Sequence, residues 1–422
     1  MRWNVNEYTD TMNLTLSTLV FAAMILAATC ESDNFPVEKE SGDLSATFLE
    51  SLRESALPLY ETGRDAASDE NFVMSPLSIQ LALYMVWQGA DNDTRTEIES
   101  LLRTPEPGDD VTNEISRLMH DLNGNSGEFT LNIHNGMFYD DNRMTPNESF
   151  EEALKSKFIA EVERLDFSTP TAVEEINGWV REKTEGKIPE VLDQISEREV
   201  LFLLNALYMK ADWNNAFAQE LTADRPFHLA DGEEIRIPMM SKTEMIDIVR
   251  TEEYQAVRLL LADSALAAYF IMPDNGGTDR SGYPGPEVLE KLLDGRIEFS
   301  SAKAGLSLPV IETKTNLEMN PVLKALGMKS AFDPERADLS GIGSAVTGAL
   351  YISRVLHNTY LKIDEGGVEG AAVTTVGIGT TSAPITEPFV FDRPFTYLIV
   401  DQRLGLPLFI GRFTGRETAY NR

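Results

Sequence analysis

The 422-residue sequence predicts an α+β domain. From about Leu44 to Gly415, apolar residues at helical spacing alternate with short runs of β-branched and aromatic residues. No Pro/Gly/Ser-rich linker divides that span, and no internal repeat runs through it. The mixture points to large, mostly antiparallel or mixed sheets. A hydrophobic share of 42% is enough to build a sizeable core.

Taken in order, the chain opens on a segment that stands apart. "NLTLSTLVFAAMILAATC" holds an apolar run from about Leu14 to Ala28. That run is short of the about 20 residues of a membrane span and suits the core of an export signal. It ends at Cys30, the single cysteine, which rules out an intrachain disulfide and a zinc site built from several cysteines. "LAATC" resembles a bacterial lipobox, which implies lipidation of Cys30 at a mature N-terminus. A simple secretory signal cut nearby is the alternative, and translation from Met12 would shorten the leader. Residues 1–30 are therefore expected to direct export, to a periplasmic, cell-surface or extracellular location. Residues 31–43, acidic and containing Ser, read as a flexible tether.

Helices follow. "SATFLESLRESALPLYET" has apolar residues at helical spacing. "SPLSIQLALYMVWQGA" opens with Ser75 as cap and Pro76 in the first turn, and stops at Gly89. In "DNDTRTEIESLL", Thr94 and Glu97 have the spacing of a capping box. "AVEEINGWVREKTEG" closes on Gly186. Strands are expected at "FTLNIHNGMFYD", "VLFLLNALYMKADW", "YQAVRLLL", "ALAAYFIMP", "FVFDRPFTYLIVD" and "PLFIGRFTG". The loop from Pro273 to Glu287 is rich in Gly and Pro.

The chain carries 68 acidic against 36 basic residues, a net charge of −32. Such a surface repels phosphate backbones and argues against nucleic-acid binding. Catalytic motifs are missing. His120, His134, His228 and His357 have no zinc-ligand spacing, "LSGIGSAV" is not a nucleophile elbow, and neither a phosphate-binding nor a dinucleotide-binding glycine loop exists. No enzyme activity, metal or cofactor is expected.

One stretch combines two contrary signals. In "DEGGVEGAAVTTVGIGTTSAPITEPF", Gly370 to Thr386 is uncharged and rich in the small and β-branched residues of a buried strand. Five glycines and Pro384 punctuate it like a loop.

Five blocks place this stretch in a context. "NFVMSPLSIQLALYMVWQGADNDTRTEI", "INGWVREKTEGKIPEVL", "LLNALYMKADWNNAF", "LGMKSAFDPERADLSGI", and "FVFDRPFTYLIV" with "PLFIGR" resemble, in order, the conserved blocks of the serpin family. The resemblance implies a single serpin domain over 44–418, with three β-sheets, about nine helices and an exposed reactive-centre loop at 365–388. It implies a suicide-substrate inhibitor. A protease cleaves the loop, forms an acyl-enzyme, and is trapped as the loop enters the main sheet. The hinge is then Glu365, Gly366, Gly367, Val368, Glu369, Gly370, Ala371 and Ala372. Block matching puts the shutter of the sheet at Ser75, Ser78, Asn205 and His357, and an aromatic at the insertion point at Trp213. Counting from Glu365 puts the reactive bond at Thr381-Ser382, with Ile378-Gly379 and Ser382-Ala383 as nearby alternatives. A non-inhibitory serpin, acting as a binding or structural module, is the alternative.

The residues themselves permit insertion. Val368, Gly370, Ala372, Thr374, Val376 and Ile378 form one strand face without charge; the other begins with Glu369. Fourteen residues from Val368 span about 45 Å. Thr381 is small and uncharged, and no basic residue lies between Lys362 and Arg393. The expected partner is therefore an elastase-like or subtilisin-like serine protease, with a cysteine protease left open. Trypsin-like enzymes would need Arg or Lys there. A monomer is expected, with no membrane contact beyond an N-terminal lipid.

Overall fold

Three sheets with eight α-helices organise the described residues, which are 43–67, 70–105, 110–123, 129–274, 282–369 and 388–416 of a computed structural model. All of them belong to one compact unit. In chain order the helices are α1 (Ala46–Ala66), α2 (Pro76–Trp87), α3 (Asn92–Leu102), α4 (Val111–Leu122), α5 (Glu148–Lys157), α6 (Pro170–Lys183), α7 (Pro286–Leu293) and α8 (Asn320–Ala325). Strands in the first half are β1 (Phe72–Met74), β2 (Phe129–Asp140), β3 (Met144–Pro146), β4 (Ala160–Leu165), β5 (Leu201–Asp212), β6 (Ala223–His228), β7 (Glu234–Arg250), β8 (Tyr254–Leu261) and β9 (Leu266–Pro273). Those in the second half are β10 (Ser300–Pro309), β11 (Ile311–Glu318), β12 (Gly343–Ala345), β13 (Leu356–Ile363), β14 (Gly367–Val368), β15 (Phe389–Val390), β16 (Phe395–Asp401) and β17 (Leu406–Phe413).

The largest sheet runs β1-β17-β16-β9-β8-β7-β10-β15, with β6 added on β7; a two-stranded ribbon joins β12 to β3. The sheet that matters for function has six strands, β11-β13-β14-β5-β2-β4. Its two faces are covered differently. On one side lies the main core, where α2 is buried at every position except Ala82. A helix apolar all round belongs in an interior. Across the sheet, α6 lays Ile176, Trp179 and Val180 against Phe138, Phe202 and Ala206 in a second cluster. Alternation along β5 divides it between them: Phe202 and Ala206 face α6, while Met209 and Ala211 join the main core.

Local signals explain most boundaries. Ser75 accepts the Ser78 amide at 3.3 Å, and Pro76 occupies the first turn of α2. Gly186, at φ 78°, sends its amide to the Arg181 carbonyl and ends the α6 region. Two expectations fail. Thr94 and Glu97 do not form a capping box: Asp91 is the cap residue of α3, and tertiary partners take both side chains. The Asp338 amide donates to the Thr94 hydroxyl at 3.0 Å, and the amides of Lys329 and Ser330 both donate to Glu97 at 2.6 Å. Those bonds hold the Glu97 carboxyl below its ordinary range despite its partial burial. The run "FVFDRPFTYLIVD" is not one strand but two, β15 on β10 and β16 between β9 and β17. Pro394 lies in the break, where a residue without an amide cannot extend a ladder. Thr396 is fully buried and donates its hydroxyl to the Gly282 carbonyl at 2.9 Å. No helix among the described residues is long and apolar enough to cross a membrane.

Candidate functional site

The expected hinge begins where β13 ends, and its first residues form the shortest strand of the six-stranded sheet. Asp364 starts a tight reversal: its amide donates to the Gly367 carbonyl at 2.9 Å, and its carboxylate accepts the Gly366 amide at 2.9 Å. The chain then turns back as β14, antiparallel to both neighbours. Val368 pairs with Ile363 of β13 and with Ala211 of β5, and Gly367 pairs with Asp212. Only glycine fits at 367. Its φ is 150°, and a Cβ there would sit 2.1 Å from the Ala211 carbonyl oxygen. Val368 is fully buried in the main core.

Trp213 closes the top of this arrangement. Its indole N–H donates to the Asp364 carbonyl at 2.8 Å, and its backbone amide donates to Gly366 at 2.9 Å. Phe217, edge-on to Trp213 at 6.1 Å, donates its amide to the Glu365 carbonyl at 2.9 Å. The Thr222 hydroxyl reaches the Glu365 carboxylate at 2.5 Å. Lys242 lies 4.3 Å from the Phe217 ring centroid and 2.7 Å from Glu244; its burial lowers the ammonium pKa. Trp213 is thus both a buried aromatic and a clasp on the hinge backbone.

Glu369 departs from simple alternation. A φ of 51° turns it out of the extended path, and its side chain is only 6% exposed, with Lys187 at 3.0 Å. Strand periodicity alone gives no sign of that burial, because the turn at one residue redirects the side chain.

Below Val368 the two flanking strands part. Among the described residues β5 and β13 share no ladder; β5 is paired along its other edge with β2, and β13 with β11. At the far end, between the starts of β5 and β13, a cavity of about 90 Å3 is lined by Leu83, Val86, Leu203, Leu350 and Leu356.

The four residues expected to form the shutter gather around the N-terminus of α2, in two groups. On the β5 side, the Ser78 hydroxyl donates to the Asn205 side-chain carbonyl, and Asn205 donates to Asn135 at 2.9 Å. On the β13 side, the Ser75 backbone amide donates to Nε2 of His357 at 3.2 Å, and Thr359 shares that nitrogen at 2.6 Å. Nε2 accepts, so it carries no proton, and full burial lowers the His357 pKa to about 4. No hydrogen bond joins Asn205 to His357; α2 supplies the link between the strands. Asn135 and Thr359 complete these networks but were not singled out by the motifs. Asn135 stands directly opposite Asn205 in the β2–β5 register, a pairing that only the fold supplies, whereas Thr359 lies two residues from His357 on the same strand face. Gly370, Ala371, Ala372, Thr381, Ser382 and Cys30 lie outside the described residues.

Comparison with known proteins decides the family. The model described as "Serpin (serine protease inhibitor)" matches residues 50–415. The chain belongs to the serpin family. Serpins are in general protease inhibitors rather than catalysts. The chain is 31% identical over 373 residues to alpha-1-antiproteinase S of Cavia porcellus, covering 86% of this chain and 89% of that protein. Serpin A3-6 of Bos taurus is 32% identical over 377 residues, covering 86% and 87%. Among solved structures, the native state of the thermophilic serpin tengpin superposes with a TM-score of 0.81 at 28% identity, covering 89% of this chain and 96% of that one. A thyroxine-binding globulin complexed with thyroxine gives 0.76 at 26% identity, covering 88% and 99%.

Proposed function

We propose that this serpin is a suicide-substrate inhibitor of serine proteases with small or aliphatic specificity, of elastase-like or subtilisin-like type. The observation that carries the reading is β14. A strand already seated antiparallel between β13 and β5 has begun the sixth-strand ladder, and the chain continues from it into the uncharged segment from Gly370 onward. Among the described residues β5 and β13 share no ladder beyond β14, so their facing edges can offer backbone donors and acceptors to a longer strand, and strand addition supplies main-chain hydrogen bonds. Cleavage at Thr381-Ser382 would release a strand of about the sheet's length. Export through residues 1–30 and lipidation at Cys30 would put the inhibitor where extracellular or periplasmic proteases act.

Incubation with an elastase followed by a denaturing gel tests the reading. The expected result is a covalent serpin–protease band. Clean loop cleavage without that band would instead favour a non-inhibitory member, as would be consistent with likeness to a binding globulin.

A further inference from the structure

Glu369 is the last described residue of the hinge, and its carboxylate is the only hinge charge turned inward beside Tyr208 and Tyr360. Its partner is not an ordinary surface lysine. Lys187 sits just past α6 on a platform fixed from within. The Thr184 hydroxyl donates to the Val180 carbonyl at 2.8 Å and accepts the Ile188 amide at 3.1 Å. Ile188 is buried in the α6 cluster, and the Lys187 amide donates to Thr184 at 2.9 Å. From that platform the ammonium reaches across to Glu369 Oε2 at 3.0 Å and lies 5.2 Å from the Tyr360 ring centroid. The other carboxylate oxygen, Oε1, is buried and has no hydrogen-bond partner among the described residues. Glu369 and Lys187 line a cavity of about 10 Å3 together with Leu207, Tyr208, Tyr360 and Leu361. Burial, and then the Glu369 charge, raise the Tyr208 phenol.

A carboxylate so placed depends on its cation, because a buried charge that loses its partner is strongly destabilising. The dependence falls on the backbone too. Glu369 holds φ 51°, which a non-glycine residue adopts only when its surroundings compensate. We infer that Lys187 is a positioning residue for the hinge: it draws the Glu369 carboxylate into the interval between β5 and β13, and so holds β14 seated before cleavage. The pair also ties the hinge to the exit of α6, the helix that covers this face of the sheet. The inference rests on the inhibitory reading only for its functional consequence; the seating of β14 stands apart from it.

When the loop is cut, Glu369 must remain buried as the strand zips past it. With Lys187 present the charge is matched throughout. Without it, each insertion passes through an unmatched buried carboxylate, insertion slows, and more acyl-enzymes hydrolyse before they are trapped.

The test is a double-mutant cycle on the full chain with Lys187→Met, which keeps the aliphatic stem, Glu369→Gln, which keeps the shape, and the pair combined. Backbone hydrogen exchange over residues 364–369 of the uncleaved protein is the first readout. Lys187→Met is expected to speed exchange by at least about tenfold, while the double variant returns to the level of Glu369→Gln alone. The second readout is inhibition of elastase: Lys187→Met should raise the moles of inhibitor consumed per protease severalfold with the acylation rate unchanged. Exchange in Lys187→Met within about twofold of wild type, or a double variant equal to the sum of the singles, would overturn the role of Lys187. A wild type that forms no complex would refute the inhibitory reading while the exchange data still judge the pair.

Discussion

His357 accepts the Ser75 amide on Nε2, beside the Thr359 hydroxyl, in a buried site, and its neutrality follows from that position. Burial disfavours the charged imidazolium and lowers the pKa from 6.5 to about 4, and a protonated Nε2 could not accept the Ser75 amide that points at it. The sign of the linkage is then set. Above about pH 6.5 both folded and unfolded histidines are neutral and this group does not disfavour folding. Between 6.5 and about 4 the unfolded chain takes up a proton that the native chain refuses, so stability is lost over that interval. A gap of that size corresponds to about 3 kcal/mol at its limit. Chemical denaturation of wild type and His357→Asn at pH 7 and pH 4 checks it. The stability difference, wild type minus variant, should fall by a few kcal/mol on acidification; a constant difference would mean that His357 is not the group that titrates.

At the scale of elements, the decisive feature is two residues long. Val368 of β14 is fully buried between β13 and β5, and its side chain enters the same core as Met209 and Ala211. Val368→Arg would put an unpaired charge there, at a cost of about 3–5 kcal/mol that the seated hinge cannot offset. The variant should be cut by elastase at the wild-type rate yet behave as a substrate, with cleaved monomer replacing the covalent band on a denaturing gel. Trapping as efficient as wild type would show that residue 368 does not enter the core. Elements of this kind are also where reading a sequence reaches its limit. β2, β8 and β9 were legible because their apolar runs have the length of a strand and end at turn residues. The Ser75-Pro76 start of α2 and the Gly186 stop after α6 were legible because each is decided by local geometry. β7 was not, because its half-exposed length mixes charged and apolar residues, and "FVFDRPFTYLIVD" reads as continuous until β10 and β9 claim its two halves. The Thr94–Glu97 spacing was misleading, since partners more than 200 residues away outcompete a local cap. β14 depends wholly on its neighbours, and the inward turn of Glu369 depends on one dihedral angle. Family resemblance supplied the expected hinge; only the structure put Lys187 beside Glu369.

For the molecule as a whole, the account requires the intact fold to lie above a form with a longer β14. The six-stranded sheet offers two edges, along β5 and β13, without a common ladder among the described residues. Residues added to the β14 ladder would gain main-chain hydrogen bonds along both edges and bury apolar side chains, against the cost of ordering them. Glycines at 370, 377 and 379 would weaken the added strand by about 0.5–1 kcal/mol each relative to alanine. The direct measurement is thermal unfolding of the intact serpin beside the same protein nicked near Thr381 by an elastase. Insertion predicts that the nicked protein melts well above the intact one. Equal melting temperatures would contradict the account, because a cut loop that adds no strand leaves no conformational energy with which to trap a protease.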